Sequence, residues 1–160
     1  MNEQELGRRI VALTAALYRV SCGLLRSEAD REDAVQAAIE KAWVKAHSLR
    51  DEGRLKPWLV RILINECYSL LRRKGREIPV EELPDQAAPY ADTAYEVREA
   101  VLALPADLRL PIVLHYMEGF SIREIASALR CPIGTVLSRM NRGRKQLKDL
   151  LMEMNDFDEE

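Results

Sequence analysis

Apolar residues recur along most of this chain at steps of three and four, the spacing that gathers side chains onto one stripe of an α-helix. Leu6, Ile10, Leu13, Leu17, Val20 and Leu24 mark a first helix. Ser27, three residues before Asp30, offers an N-cap for a second, whose apolar side is Ala34, Val35, Ala38, Ile39, Ala42 and Trp43. A polar loop over 48–56 follows. Pro57 suits the first turn of a third helix with Trp58, Leu59, Ile62, Leu63 and Leu70 on its apolar face. That helix runs out in Arg72, Arg73, Lys74 and Gly75, a basic end that matches the helix dipole.

The pattern resumes at Thr93, which with Glu96 forms a capping box ahead of Val97, Ala100, Val101 and Leu104. Pro105 ends this helix or starts the next. Pro111 demands a kink or a first-turn position in the segment 108–116. Gly119 breaks the chain, and Ser121 with Glu124 opens a short helix carrying Ile125, Ala126 and Leu129. Arg130, Cys131 and Pro132 make a tight turn into a last helix. Its expected buried stripe is Ile133, Val136, Met140 and Leu147, which leaves Thr135, Ser138, Arg139, Arg142 and Lys145 outward. A short capped helix, a three-residue turn and a longer basic helix is the geometry of a helix-turn-helix that enters a DNA major groove.

No run of alternating β-branched residues occurs, so the expected fold is all-α. Two small helical domains are expected, a three-helix bundle and a helix-turn-helix domain, joined by a linker. Residues 76–92 contain Pro79, Pro84 and Pro89 with little apolar periodicity and form that linker. The expected boundaries are 1–75, 76–92 and 93–155, with an acidic tail over 156–160.

Charge sharpens this division. The chain of 160 residues has a formal net charge of −2, but its charges fall in blocks. Residues 54–76 carry a net +6, 77–99 a net −6, 130–148 a net +6 and 149–160 a net −6. Two basic stretches on two bodies suggest two contacts with one polyanion. The acidic segments 77–99 and 149–160 are expected to compete with DNA for the basic helices.

Composition excludes several classes. The chain has 3 cysteines and 2 histidines, with no pair at metal-ligand spacing, so neither a disulfide framework nor a structural zinc is expected. No Gly-rich phosphate loop, nucleophile elbow or paired His/carboxylate motif occurs, which argues against an enzyme and against a small-molecule substrate. No cofactor is expected. No segment has the length and apolarity of a membrane helix, and the first residues are too polar for a secretory signal, so a cytoplasmic address is expected without membrane insertion. A stand-alone helix-turn-helix regulator would leave the first 75 residues unexplained. A decoy, which keeps the shape and binds a regulatory protein but not DNA, would have no need of the basic face over 135–145.

Five stretches together resemble a known family. They are Asp30-Arg31-Glu32-Asp33-Ala34-Val35-Gln36, Trp58 to Asn65, Leu104-Pro105 with Arg109, Glu118 to Ala126, and Gly134 to Arg139. In order and spacing the chain is similar to the extracytoplasmic-function (ECF) group of bacterial RNA polymerase sigma factors. The resemblance implies a promoter-melting domain (region 2) and a helix-turn-helix domain (region 4), with core RNA polymerase, promoter DNA and an anti-sigma factor as partners. It implies that Asp30, Asp33, Gln36 and Glu40 dock on the polymerase. Arg50 and Arg54 in the loop, with Trp58, Arg61 and Asn65, would capture an unpaired base of the -10 promoter element, and Arg72 and Arg73 would hold the backbone. Thr135, Ser138, Arg139, Arg142 and Lys145 would face the -35 element. Three positions depart from the family pattern: Ala37-Ala38 where an acid is usual, Arg130 in a turn that is often glycine and would be strained at positive φ, and Leu137 in place of a frequent lysine.

Overall fold

The computed structural model describes residues 1–74 and 93–158, and the side chains of 1–74 and 96–153. Every regular element among them is helical. The first unit contains α1 (Glu3–Cys22), α2 (Glu28–Lys45) and α3 (Leu55–Arg73). The second contains α4 (Thr93–Ala103), α5 (Ala106–Ile112), α6 (Ile122–Leu129) and α7 (Ile133–Asp158). The linker, the side chain of Thr93 and the acidic tail side chains fall outside the described residues, and so does their expected competition with DNA.

The caps form where polar side chains stand ready. Asn2 accepts from the Glu5 amide at 2.8 Å, and Ser27 accepts from the Asp30 amide at 3.4 Å. At α6 the capping box is complete: the Ser121 amide donates to Glu124 at 3.0 Å, and the Glu124 amide to the Ser121 hydroxyl at 3.1 Å. Helix α1 stops at Cys22, earlier than the apolar pattern suggested, so Leu24 and Leu25 are buried from the turn that follows. The loop over 48–56 is more ordered than its polarity implied. It holds 3-10 turns at Ala46–Ser48 and Glu52–Arg54, and α3 starts at Leu55, which puts Pro57 in its first turn. Arg9 ties this loop to α1 by donating to the Glu52 carbonyl at 2.8 Å.

Pro111 lies inside α5, and the chain passes directly from that helix into a π-helical turn, Val113–Met117. Widening the hydrogen-bond spacing next to a proline that cannot donate is a common way to absorb its disruption. Helix α7 crosses α5 at Gly143, which is buried. A Cβ there would stand 2.5 Å from Ile112 Cδ1 and 3.3 Å from the Leu108 carbonyl, so any side chain would force Ile112 aside and press on the α5 backbone.

Helix α3 is the axis of the molecule. It packs on α1 and α2 and also on α6 from the second unit. Leu59, Val60, Ile62, Leu63, Ile64 and Cys67 are buried as a result, around most of its circumference. One apolar cluster runs from Leu6 and Leu17 through Leu63 to Leu114, Ile125, Val136 and Met140, so the two units share a core. Ile133 departs from its expected place in the buried stripe and is 43% exposed, and Leu147 of the same stripe is only half-buried. Trp43 is likewise largely exposed and lies along Gly7 of α1.

Candidate polymerase and nucleic-acid interfaces

Helix α2 carries Asp33, Gln36 and Glu40 at steps of three and four, all exposed on the side turned away from α1 and α3. Gln36 donates to Glu40 at 3.4 Å. This is a polar, acidic stripe on a helix whose opposite side is anchored by Ala34, Ala38 and Ala42. Asp30 sits one turn earlier but is engaged by Lys74 at the end of α3. Lys41 pairs with the buried Glu66 and fastens α2 to α3 from the other end. Arg31, within the same acidic motif, is turned inward. It is buried, donates to the Leu25 and Arg26 carbonyls at 3.2 and 3.0 Å, and lies over the Tyr18 ring at 5.7 Å. Its place in the motif therefore reflects structure.

The basic residues of the first unit divide into two groups. Arg50, Arg54, Arg72 and Arg73 are exposed, and Arg54 makes only a long contact to Asp51 at 3.7 Å. Trp58 and Arg61 are half-buried, and Asn65, though exposed, lines a cleft shared with the second unit. The other walls include Tyr68, Asp107, Arg130 and Arg139. Burial, and then the nearby Arg130 charge, hold the Arg61 guanidinium below its ordinary pKa. Burial, then Asp107, pushes the Tyr68 hydroxyl up.

On α7, Ser138, Arg142 and Lys145 are exposed as expected, whereas Thr135 and Arg139 are half-buried. Arg139 faces the cleft with Asn65 because α6 and the start of α7 lie against α3. Residues expected at the -10 and -35 elements are thus brought to opposite walls of one cleft. Arg130 closes α6 at φ 53°, the left-handed conformation that its place in the turn demands and that only glycine adopts without strain.

Four residues outside the expected contact sets hold this arrangement. The Glu118 side chain is 1% exposed and receives two hydrogen bonds from Arg19, from Nε at 2.7 Å and Nη2 at 3.1 Å. Lys56 Nζ lies 3.6 Å from the same carboxylate, donates to the Glu118 carbonyl at 2.9 Å, and stands 5.5 Å from the Phe120 ring centre. The pairing raises the Arg19 pKa. On the far side Arg109 is buried and donates to the Gly23 carbonyl of the first unit at 2.6 Å and twice to the Leu104 carbonyl, at 3.0 and 3.2 Å. Glu118 and Arg109 stood inside the motifs of the second half. Arg19 lies 99 positions and Lys56 62 positions from Glu118, and Gly23 lies 86 from Arg109, so no local signal could reveal these bonds between the units.

Comparison with known proteins gives this architecture a family. The family model for Sigma-70 region 2 matches residues 10–77, and that for Sigma-70 region 4 matches residues 94–147. The chain is 36% identical over 145 residues to the ECF RNA polymerase sigma factor SigM of Mycobacterium tuberculosis, covering 87% of this chain and 73% of that protein. The fold is similar to that of the sigma factor RpoE of Bartonella quintana, solved with the anti-sigma factor NepR. The TM-score is 0.78 at 31% identity, over 93% of this chain and 98% of that one. It also resembles CnrH, solved with the cytosolic domain of CnrY, at a TM-score of 0.69 and 25% identity, over 95% and 90% of the two chains. The chain belongs to the ECF RNA polymerase sigma factors of the sigma-70 family. Among the described residues no helix is long and apolar enough to cross a membrane.

Proposed function

We propose that this chain is the specificity subunit that brings core RNA polymerase to a set of promoters and starts transcription there, held by an anti-sigma factor until released. One observation carries the reading: a single chain presents an exposed acidic stripe on α2 and two separate cationic surfaces, in the order of the two sigma-70 regions. Asp33, Gln36 and Glu40, with Asp30 once Lys74 yields it, meet a basic helix of the polymerase, where complementary charge speeds and orients docking. Arg50, Arg54, Trp58, Arg61 and Asn65 take the unpaired -10 base, with Arg72 and Arg73 on the phosphates. A base pulled from the stack costs a few kcal/mol, which a polar pocket with an aromatic wall offsets. Thr135, Ser138, Arg139, Arg142 and Lys145 face the -35 duplex.

The two units are drawn together in a closed form in which Asn65 and Arg139 line one cleft, and promoter binding requires them to part. The chain acts through the polymerase and in its compartment, the cytoplasm, and performs no reaction alone. One solved relative is in complex with the anti-sigma factor NepR and another with the cytosolic domain of CnrY, which supports an anti-sigma factor here as well. The test is transcription with purified core polymerase on a random promoter library. Defined start sites shared by a family of sequences are expected, and Asp33→Lys should abolish them while leaving the melting temperature unchanged. Absence of any start site, with retained binding to an anti-sigma factor, would identify a decoy instead.

A further inference from the structure

Apart from the cleft lined by Asn65 and Arg139, with which it shares no lining residue, the turn between α1 and α2 meets α4, α5 and α7 around a groove of about 910 Å³. Its walls are apolar, with Leu25, Val97, Val101, Leu102, Ile112 and Leu147 among them. The volume lies within the range of small-molecule sites, which are mostly apolar with a few convergent polar groups. Here the charged groups are six guanidinium ions and one carboxylate, that of Glu28, so the cations dominate. Arg26, Arg31 and Arg109 all line the groove, and none is in ion-pair range of an acid among the described residues. Arg31 and Arg109 spend donors on backbone carbonyls. Arg26 has no such partner: its Nε and Nη1 are shut off from solvent without a hydrogen bond, and Arg31 Nε is in the same state. Burial, and then the Arg26 charge, lower the Arg109 pKa, which places the two cations close enough to repel.

A desolvated, unpaired guanidinium is costly, and a carboxylate is the group that fits its planar fork. We propose that this groove binds a free amphiphilic carboxylate of the fatty-acid class, its head on Arg26 and its chain along Val101, Leu102 and Leu147. The site exists only while the two units are together, since Arg26 belongs to one and Leu102 to the other. It therefore rests on the closed form, and its ligand stabilises that form over the open one.

The test is calorimetric titration of the full chain with dodecanoate below its micelle concentration, with dodecanol as the neutral comparison. Saturable one-site binding of dodecanoate is expected, with dodecanol weaker by at least about tenfold. Arg26→Met should weaken dodecanoate by a similar factor, leave dodecanol unchanged, and raise the melting temperature of the unliganded protein, because it removes an unpaired charge. Leu102→Trp, which fills the apolar end, should weaken both ligands. Absence of saturable binding, equal affinity for the two ligands, or indifference to Arg26→Met overturns the site. Small-angle scattering on the same sample separates the causes: a compact chain without binding refutes the site alone, whereas an extended chain removes the closed form and the site with it.

Discussion

Glu118 is the strongest single tie between the two units, and its removal should open the chain without unfolding either half. Its carboxylate is almost fully buried, with a two-pronged bond to Arg19 and a second cation in Lys56. Hydrogen bonds to charged groups contribute about 1.5–3 kcal/mol each, and breaking a buried pair costs about 3–5 kcal/mol when the remaining charge stays buried. Here it does not stay buried: Arg19 is 52% and Lys56 35% exposed by side chain, so both cations regain water when the acid is gone. The lower range applies, and Glu118→Gln should cost about 1–3 kcal/mol. Because the bonds join the two units, that cost falls on their association, shifting the closed-to-open ratio about 5- to 150-fold. Two measurements read the shift. The radius of gyration of a compact chain of this length is about 15 Å, and it should rise in Glu118→Gln. Affinity for duplex DNA at low salt should rise with it. Glu32→Gln, which neutralises an exposed acid, controls for the change in net charge. If both variants gave the same radius and the same DNA affinity, the tie would have no role in closure.

Gly143→Ala should lower stability by about 1–3 kcal/mol despite alanine's better helix propensity, because the new methyl meets Ile112 and backbone at close range. Adding Ile112→Val, which deletes the atom in closest conflict, should recover part of that loss in thermal denaturation. Arg130→Gly should raise the melting temperature by about 2–4 °C, as about 1 kcal/mol of left-handed strain is relieved; no change would place the strain elsewhere. Burial, then the Glu66 charge, pushes the Cys67 thiol from 9.0 to about 12. The folded state thus holds this proton more tightly than the unfolded one. The associated stability is complete below pH 9 and is lost as pH rises toward 12. At pH 8.5 alkylation should proceed at the partly exposed Cys22 and Cys131 while Cys67 reacts only at the unfolding rate.

Helix α3 shows how far the sequence could be read. The alternation of Leu59, Ile62 and Leu63 with polar neighbours identified a helix and one buried face, because that face packs within its own bundle on α1 and α2. Val60 and Ile64 lie on the side that α6 covers, and a contact made by a segment some sixty residues later leaves no local period to detect. The same limit applies to Arg139. Its spacing from Val136 and Met140 placed it on the outward side of α7, which is correct for the helix-turn-helix by itself, but the docking of that unit turns this side toward Asn65. Local chemistry was fully legible where one element decides it, as at the Ser121 capping box and the Arg130 turn. The acidic stripe of α2 could be read too, except for Arg31 and Asp30, whose inward or paired states depend on the α1–α2 turn and on Lys74.

The closed form sets opposing charges in balance. Glu118 with Arg19 and Lys56 favours closure, and the shared apolar core adds to it. In the cleft Arg130 and Arg139 line the same walls, and the Arg130 charge adds to burial in lowering the Arg61 pKa. A phosphate backbone removes that repulsion by pairing with the cations, so DNA gains a contribution to opening that no neutral ligand can supply. Salt screens the more exposed like charges that favour opening more than the bonds to Glu118, whose side chain is 1% exposed, and it weakens phosphate contacts through counterion release. The affinity of the intact chain for duplex DNA should therefore fall more steeply with salt than that of Glu118→Gln, in which opening no longer depends on the repulsion. Parallel slopes for the two proteins in a fluorescence-anisotropy titration would mean that closure and DNA do not compete for these arginines.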